Sequence, residues 1–434
     1  MFTSQADVCV IGSGSGGKMV AQRLARAGRR VVLVERGYVG GFCPYVACVP
    51  AKSLLLSAAA GLSWPAARAL RDEAVGGRDD SGAARGLTDD GVEIVRGTAR
   101  LDGPGRVLVE DGPTTPARIT ARITARTVVI GTGSSPVRPE LPVDVATWTS
   151  EEALAADELP ARLAVVGGGP VACELAQAYA GLGSRVTMLV RGEHLLSGEP
   201  SWVGEALADV LRGDGVDVRT STSLDALADL DVDRVLLGTG RTPTTSGLGL
   251  DEDWLTSAGA VRTDGRCRVV DASGSPVEGL FAVGDVTGIS PYTHTANHQA
   301  RTVVDELLGR GRDADYSAIP RAVYTHPPVF STGDTSGDGA RSARFSVTEV
   351  ERANLLELSA PRDQRRALTG AVELFARDGI LVGAACLGPE ADSWGAELSL
   401  AVRARLTVDL LAHHVRAFPT WSEAVFPALE ELQG

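Results

Sequence analysis

Two segments of the chain repeat the same order of apolar strand, glycine-rich turn and helix. In the first, the apolar residues 7–11 run into a glycine turn at 12–17, and residues 18–27 have the pattern of a helix. Residues 30–35 then read as a second buried strand that ends in an acid. This order predicts one βαβ unit of the dinucleotide-binding type.

The second segment follows the same plan further along the chain. Residues 163–166 predict a strand, 167–172 a glycine turn, 173–182 a helix and 185–190 another strand. The roughly 150 residues between the two units carry other elements, so these are two separate units and not an array of short repeats.

The remaining pattern predicts where the units are joined. Residues 127–130 read as a strand that enters a turn, 141–161 form a connection rich in proline and acids, and 279–285 form a further strand and turn, followed by a helix over 293–308. From about residue 317, short strands mix with amphipathic helices. We therefore expect an α/β fold with two Rossmann-like domains and a C-terminal α+β domain.

The domain boundaries follow from these breaks. The first dinucleotide-binding domain is predicted to be discontinuous, with residues 1–150 and 279–316. The second is predicted over 151–278 and the C-terminal domain over 317–434.

Composition and charge narrow the range of partners. A net charge of −13 and a pI near 5.1 argue against nucleic acid and anionic membranes, which both require a basic surface. The first predicted strand begins within a few residues of the start, and no apolar run reads as long enough to cross a bilayer. We expect a cytoplasmic protein with small-molecule partners.

Six cysteines in such a chain favour catalytic over structural disulfides.

Each glycine of the first turn has an expected task. Gly12 permits the sharp turn, Gly14 lets the backbone approach a pyrophosphate, and Gly17 lets helix and strand pack closely. Glu35 is placed to accept hydrogen bonds from a ribose. An ordinary turn is the alternative, which the flanking strand, helix and acid disfavour.

The second turn differs in its last glycine and in its charged residue. Gly167 and Gly169 are followed by Ala172, and the next strand is followed by Arg191, where an NAD-binding unit would usually offer an acid. Arginine suits a 2′-phosphate, so NADPH is favoured over NADH. Arg191 as a merely solvated strand end is the alternative.

Cys43 and Cys48 are the closest pair of cysteines in the sequence. They would lie at i and i+5 of a helix, a spacing that a distorted first turn could bring within bonding range. A helix N-terminus would also lower the pKa of a thiol. The alternatives are a metal site, for which no second Cys or His pair exists, and two buried cysteines without a bond.

Taken together, these motifs resemble the pyridine nucleotide-disulfide oxidoreductase family, which includes lipoamide dehydrogenase, glutathione reductase and mercuric reductase. The resemblance covers essentially the whole chain. It rests on the order of these motifs: Gly12 to Gly17, Glu35, Gly40-Gly41, Cys43/Cys48, Thr132-Gly133, Gly167 to Glu174, Gly240-Arg241-Thr242-Pro243, Gly284-Asp285 and Pro419-Thr420-Trp421-Ser422-Glu423.

This resemblance implies FAD as cofactor and a homodimer joined through the C-terminal domain, with an active site shared between subunits. Cys48 would be the thiolate that faces the flavin and Cys43 the thiol that attacks substrate. Lys52 would pair with Glu174 beside the flavin ring, although a surface lysine is the alternative. The remaining residues assigned to cofactor binding are Gly41, Thr132, Gly133, Arg241 and Asp285, the last on the ribityl chain.

One position departs from the thiol-forming members of that family. They carry a histidine acid/base before the Pro-Thr of the C-terminal motif, where this chain has Phe418, and Glu423 then has no imidazole to orient. His413 and His414 are possible replacements, but a helix end or an exposed loop is the favoured interpretation. His294 could lie near the flavin, although a structural histidine is favoured.

Three functions remain open. The leading hypothesis is an NADPH-dependent oxidoreductase whose dithiol cleaves a small disulfide or thioether, or oxidises a dithiol, without a histidine. The second resembles 2-ketopropyl-coenzyme M oxidoreductase/carboxylase, a phenylalanine-bearing member that breaks a carbon–sulfur bond and carboxylates the product. The third is a flavin-binding subunit without turnover, which the cysteine pair disfavours.

Overall fold

The computed structural model describes residues 2–111, 118–359 and 369–434. The strands are β1 (Phe2–Ile11), β2 (Val31–Glu35), β3 (Val92–Arg96), β4 (Thr98–Leu101), β5 (Arg106–Asp111), β6 (Arg118–Ile130), β7 (Ser134–Pro136), β8 (Thr147–Trp148), β9 (Arg162–Val166), β10 (Arg185–Leu189), β11 (Asp217–Arg219), β12 (Arg234–Leu237), β13 (Arg241–Pro243), β14 (Arg268–Val270), β15 (Pro276–Ala282), β16 (Arg321–Val323), β17 (Val329–Gly333), β18 (Arg341–Ser346), β19 (Ala371–Arg377) and β20 (Ile380–Leu387).

The helices complete this inventory. They are α1 (Ser15–Arg26), α2 (Phe42–Val46), α3 (Cys48–Ala59), α4 (Trp64–Ala74), α5 (Ser81–Asp89), α6 (Ser150–Ala155), α7 (Pro170–Gly181), α8 (Ser201–Gly213), α9 (Thr293–Leu307), α10 (Glu351–Ser359), α11 (Ala391–Arg403), α12 (Val408–Ala412) and α13 (Val425–Gln433).

The chain forms two compact units. The first comprises Met1–Pro50, Arg71–Val137 and Arg241–Asp315, and the second comprises Ala51–Leu70, Arg138–Gly240 and Tyr316–Gly434. The first unit takes in residues 241–278, which the boundaries expected from the sequence assign to the second dinucleotide-binding domain. The three-domain division itself stays a prediction.

The first unit is built on a largely parallel sheet in the order β14-β15-β6-β1-β2-β3. Side chains of β1 alternate between its two faces: Val8 and Val10 pack in the cluster that contains Val20 of α1, while Cys9 and Ile11 pack on the opposite face. Because both faces are covered, the end of β1 is apolar at every position, as is typical of a parallel strand.

Strand β6 changes its burial pattern along its length. Its first half alternates buried and exposed residues and pairs antiparallel with β5, which leaves one face to solvent. Its last residues, from Thr127 to Ile130, are all buried and pair in parallel with β1. The sequence predicted only this buried end.

The second unit contains two sheets. The parallel one has the order β11-β10-β9-β12-β8 and is packed against α7 and α8, so the second βαβ unit is formed as predicted. The C-terminal sheet has the order β16-β17-β20-β19-β18 and is antiparallel. Helices α11 and α13 pack on it and form the core with it. The predicted α/β class is thereby confirmed.

One stretch has a membrane-like composition. Phe42–Ala59 is, within the described ranges, the one helical stretch long and apolar enough to cross a bilayer by length and composition alone, contrary to our expectation from the sequence. It is divided between α2 and α3 at Ala47, and 39% of it is buried. A single stretch of this kind is weak support for a membrane span.

Candidate active site

The first glycine turn needs its glycines for different reasons. Gly12 has φ +92°, and a Cβ there would lie 2.4 Å from Gly131 O. A Cβ on Gly17 would lie 2.0 Å from Gly12 O, so α1 can approach the strand only because this side chain is absent. A Cβ on Gly14 would meet nothing within 4 Å. This open glycine precedes α1, whose start has no side-chain cap, so the first-turn amides can bind a phosphate.

Glu35 is buried beside this turn and binds its backbone. The residue is 9% exposed. Its carboxylate accepts hydrogen bonds from Ser13 N at 2.7 Å and Gly37 N at 2.7 Å, and Ser13 Oγ lies 2.6 Å away. A carboxylate offers about four acceptor positions, so at least one is left for a ribose hydroxyl. The turn therefore fits a dinucleotide.

Asp285 belongs to a cluster that links β7 and β13. Ser134 Oγ donates to Asp285 Oδ2 at 2.6 Å, and Arg241 binds Ser134 twice, through Oγ at 2.7 Å and the carbonyl oxygen at 2.6 Å. The predicted cofactor residue Arg241 thus holds the segment that holds Asp285.

Thr132 and Gly133 lie at the start of this cluster. Thr132 Oγ1 donates to Thr244 O at 2.7 Å, so this hydroxyl binds the backbone beside β13. Gly133 has φ +70°, and a Cβ there would meet nothing within 4 Å. Of the two residues, Gly133 is the one that leaves open space, directly before β7.

The cysteine pair lies at a helix break. Cys43 is in α2, which ends before Ala47, a residue with φ −140° and ψ −100°, and Cys48 opens α3. The two cysteines lie near each other. Since the helix is interrupted between them, the poor i, i+5 spacing of a continuous helix does not apply.

Cys48 lies beside two helix starts. It is the first residue of α3, and its Sγ is 3.8 Å from Oγ1 of Thr293, the first residue of α9. No side chain caps the start of α9. Helix N-termini favour negative charge, so this position suits a thiolate.

Lys52, one turn further along α3, forms an ion pair. Its Nζ donates to Glu174 Oε2 at 2.7 Å, and its ammonium lies 4.5 Å from the centre of the Tyr324 ring. Glu174 is 5% exposed and also accepts a hydrogen bond from Tyr324 N at 3.0 Å. The buried carboxylate is therefore compensated by a cation and an amide, and Lys52 is held in one orientation.

The second glycine turn is formed with a different distribution of small residues. Gly167 has φ +124°, and a Cβ there would lie 2.2 Å from Gly238 O. Gly169 is open and precedes α7, whose start has no side-chain cap. Ala172 is fully buried, and a Cβ on Gly238 would lie 2.8 Å from its Cβ. Arg191 follows β10 and is exposed.

Phe418 lies in an exposed loop near the C-terminus. Its residue is 71% exposed, and the Phe418–Pro419 peptide is cis. Glu423 accepts a hydrogen bond from Thr420 N at 3.0 Å and so caps the short 3-10 helix Trp421–Ala424, to which it belongs. The Glu423 carboxylate thus binds the local backbone.

The candidate histidines have other surroundings. His413 ends α12, and its Nδ1 lies 2.8 Å from Asp409 O. His414 follows it and is exposed, so both lie at a helix end. His294 is exposed and stacks on Tyr292, with ring centres 5.1 Å apart.

The other cysteines are buried. Burial raises the pKa of Cys9 to about 12. Burial, and secondarily the charge of Glu174, raises the pKa of Cys173, and burial alone raises that of Cys386. Cys267 is also buried. Neutral buried thiols react slowly, which distinguishes these four from the partly exposed Cys43 and Cys48.

Comparison with known proteins gives consistent matches over the chain. Residues 6–300 match the family described as pyridine nucleotide-disulphide oxidoreductase, and residues 319–429 match its dimerisation domain. Dihydrolipoyl dehydrogenase from Chlorobaculum tepidum is 33% identical, and the alignment covers 99% of this chain and 98% of that protein. Glutathione reductase from Burkholderia cepacia is 31% identical, over 92% of this chain and 93% of that protein.

The fold is also found among solved structures. The HOCl-induced flavoprotein disulfide reductase RclA from Escherichia coli, solved as a Cu(II) complex, superposes with a TM-score of 0.84. The match covers 99% of each chain at 23% identity, and at that identity it shows the fold alone.

Proposed function

Because the chain belongs to the pyridine nucleotide-disulphide oxidoreductase family, we propose that it transfers electrons between NADPH and a small sulfur-containing substrate through Cys43 and Cys48. Members of the family are flavoprotein oxidoreductases that act on sulfur groups and bind FAD and a nicotinamide nucleotide. The substrate class, the choice of NADPH and the roles of Cys43 and Cys48 are the parts that we add.

The observation that carries this proposal is the cysteine pair at the break between α2 and α3, with Cys48 Sγ 3.8 Å from the first residue of α9. In the reductive direction, the Cys43 thiolate attacks one sulfur of a disulfide and releases the other as a thiol. Cys48 then attacks the Cys43 sulfur, which forms the Cys43–Cys48 disulfide and releases the second thiol. Two protein thiols are oxidised as one substrate disulfide is reduced.

The residues around the first turn fit FAD. Gly12, Gly14, Gly17 and the start of α1 would hold its diphosphate, and Glu35 its ribose. Asp285, at the cluster that includes Gly133, would hold the ribityl chain. When bound, FAD would carry two electrons between the nicotinamide nucleotide and the cysteines.

The preference for NADPH rests on the second turn. Gly167, Gly169 and the start of α7 would hold the diphosphate, and Ala172 supports the helix. The guanidinium of Arg191 is exposed and can approach a 2′-phosphate. Its several N–H donors match the oxygens of a phosphate better than they match a single hydroxyl.

Phe418 distinguishes this enzyme from its thiol-forming relatives. A phenyl ring neither donates nor accepts a proton, so the general acid/base contribution of about 10²- to 10⁴-fold is missing. The preferred substrates therefore release a stable thiolate, or the enzyme works in the direction of dithiol oxidation. The Lys52–Glu174 pair remains as the charged group that we assign to the neighbourhood of the cofactor.

A second candidate is cleavage of a carbon–sulfur bond followed by carboxylation, as in the 2-ketopropyl-coenzyme M enzyme. The exposed apolar side chain of Phe418 favours this reaction, because a side chain without an acidic proton cannot protonate a carbanion. Incubation with NADPH, a β-ketothioether and labelled bicarbonate decides the matter. A labelled acid supports carboxylation, whereas thiol and protonated ketone alone contradict it.

The dimerisation domain supports a homodimer. We further propose that the loop from Phe418 to Glu423 completes the active site of the other subunit, and that the enzyme works in the cytoplasm. The other proposed partners are the small-molecule thiols, disulfides or thioethers themselves.

The decisive variant is Phe418→His. We expect reduction of oxidised glutathione or lipoamide to rise by about 10²-fold, because the imidazole restores the proton donor. Phe418→Leu, which keeps an apolar side chain, is the matched control and should show no gain. Equal rates in the two variants, at equal FAD content, would contradict the role given to Phe418.

A further inference from the structure

Tyr45 lies between the two cysteines and is tied to the segment that precedes them. Its ring packs against the ring of Tyr38 in a tilted arrangement, with centres 4.9 Å apart and planes at 31°, and its hydroxyl donates to Val39 O at 3.2 Å. Tyr45 is 8% exposed, and a Cβ on Gly40 would lie 3.5 Å from its ring. Its side chain therefore packs on the segment Tyr38–Gly41, which we call the strap.

The strap is itself fixed to the first glycine turn. Ser13 Oγ lies 3.2 Å from the carbonyl oxygen of Tyr38 and accepts a hydrogen bond from Gly40 N at 3.1 Å. A Cβ on Gly41 would lie 2.5 Å from Gly14 Cα, so the strap and the turn are in direct backbone contact. Val39 N also donates to Asp80 Oδ2 at 2.6 Å.

Helix α2 cannot hold Cys43 in place by itself. It has five residues, no side-chain cap at its start and a break after its end at Ala47. Helices of this length are unstable without tertiary contacts. The buried side chain of Tyr45 is one contact that fixes α2 to the strap; Pro44 also lies near it, with its Cγ 3.8 Å from a Cβ on Gly40.

Burial, together with the charge of Asp80, raises the pKa of Tyr45. A tyrosine hydroxyl is protonated at neutral pH, and the raised pKa extends that range upward, so the hydroxyl is available to donate to Val39 O.

We propose that Tyr45 is a positioning residue that keeps Cys43 within reach of Cys48 in both redox states and thereby stabilises their disulfide. This inference rests on the proposed function. Reduction of the disulfide takes two electrons and two protons and gives two thiols. If α2 is loosened, each thiol meets the other less often, and the disulfide becomes easier to reduce.

The test is a redox titration of the full-length FAD-containing protein. The protein is equilibrated in mixtures of dithiothreitol and its cyclic disulfide, so that reagent dithiol is oxidised as the protein disulfide is reduced. Alkylation and peptide mass spectrometry then report the state of Cys43 and Cys48. For Tyr45→Leu we expect the equilibrium constant for disulfide formation to fall by about tenfold, and alkylation of reduced Cys43 to become faster.

Two further variants separate the contributions of Tyr45. Tyr45→Phe keeps the ring and loses one neutral hydrogen bond, so a change of about threefold is expected. Tyr179→Phe is the matched control, since that buried hydroxyl also donates to a backbone oxygen, Ala153 O at 2.7 Å, in the other unit. It should leave the titration unchanged.

The outcomes are distinct. A titration of Tyr45→Leu that superposes on the wild type at equal FAD content overturns the role of Tyr45. If Tyr45→Leu does not fold, Tyr38→Leu removes the aromatic ring that packs against Tyr45 from outside the cysteine segment. It must shift the titration in the same direction, and an unshifted curve overturns the inference. A wild-type protein without any Cys43–Cys48 disulfide would instead contradict the proposed function.

Discussion

The first glycine turn closes around Glu35, a residue that is 9% exposed, whereas the second is followed by Arg191, which lies at the surface. Both turns have an open glycine before an uncapped helix, at Gly14 and at Gly169. They share the means of binding a diphosphate and differ in what surrounds it.

The difference suits two kinds of ligand. Glu35 is oriented in advance by Ser13 and Gly37, so a ribose that binds there meets a rigid acceptor. Such preorganisation lowers the cost of binding and suits a cofactor that stays. An exposed arginine must be ordered each time, which suits a nucleotide that enters and leaves in every turnover.

The largest effect is expected from a substitution that disrupts the first glycine turn. In Gly17→Ala, the new Cβ would lie 2.0 Å from Gly12 O, so α1 must move away from the strand. We expect a loss of about 1–3 kcal/mol in the free energy of unfolding and purification largely without FAD. Flavin absorbance and thermal unfolding measure both.

The matched change in the second turn is Ala172→Gly. It removes one methyl from a helix and should cost about 1 kcal/mol while FAD is retained. A Gly17→Ala protein with the FAD content and melting temperature of the wild type would show that the close approach of α1 is not needed.

A smaller effect is expected at the exposed arginine. Arg191→Leu should lower kcat/KM for NADPH by about 10- to 100-fold, since charged hydrogen bonds contribute about 1.5–3 kcal/mol, and leave kcat/KM for NADH nearly unchanged. Arg185→Leu, at the opposite end of β10, is the control and should change neither value. A loss that is equal for both nucleotides would contradict recognition of the 2′-phosphate.

The smallest expected effect is on the pH dependence of stability. It arises from a feature that both turns share, a buried cysteine nearby in the sequence. Cys9 in β1 and Cys173 in α7 both have a thiol pKa raised above the ordinary value of 9.0 by burial. Below that pH the thiols are neutral in both states. Above it they ionise only in the unfolded chain, so stability falls as pH rises, by about 1.4 kcal/mol per pH unit for each thiol.

Urea unfolding between about pH 8 and about pH 10 measures this slope. The double variant Cys9→Ala and Cys173→Ala should be less sensitive to pH than the wild type. An unchanged slope would mean that other groups control alkaline stability.

Much of this fold is readable from the sequence, because a strand, a glycine turn and a helix in that order leave few alternatives. The half of β6 that pairs antiparallel with β5 was missed, although Arg and Thr alternate there with Ile and Ala in the period-two pattern of a half-buried strand, so the signal was present and was not used. In the connection predicted over 141–161, β8 and α6 were likewise not foreseen, although Thr149 and Glu152 form a capping box that the spacing could have indicated.

The chemistry was less readable than the fold. Pro50 disfavours a continuous helix through this segment, because it has no amide to donate to Val46 O and its ring would clash with that carbonyl. The break at Ala47 could therefore have been expected, but this signal was not used. Tyr45, Thr293 and Tyr324 were not singled out, because their partners lie far away in sequence or depend on that break. The roles of the predicted site residues remain predictions.

The neighbouring positions Ala172 and Gly238 carry a consequence for how the second turn is recognised. A Cβ on Gly238 would lie 2.8 Å from the methyl group of Ala172, so there is volume for one methyl at this point and not for two. Gly238, the first residue after β12, leaves the space that the Ala172 methyl group occupies. A search for such turns along the chain would score this one as incomplete, whereas a comparison in three dimensions would show that a glycine outside the turn accommodates the Ala172 methyl group.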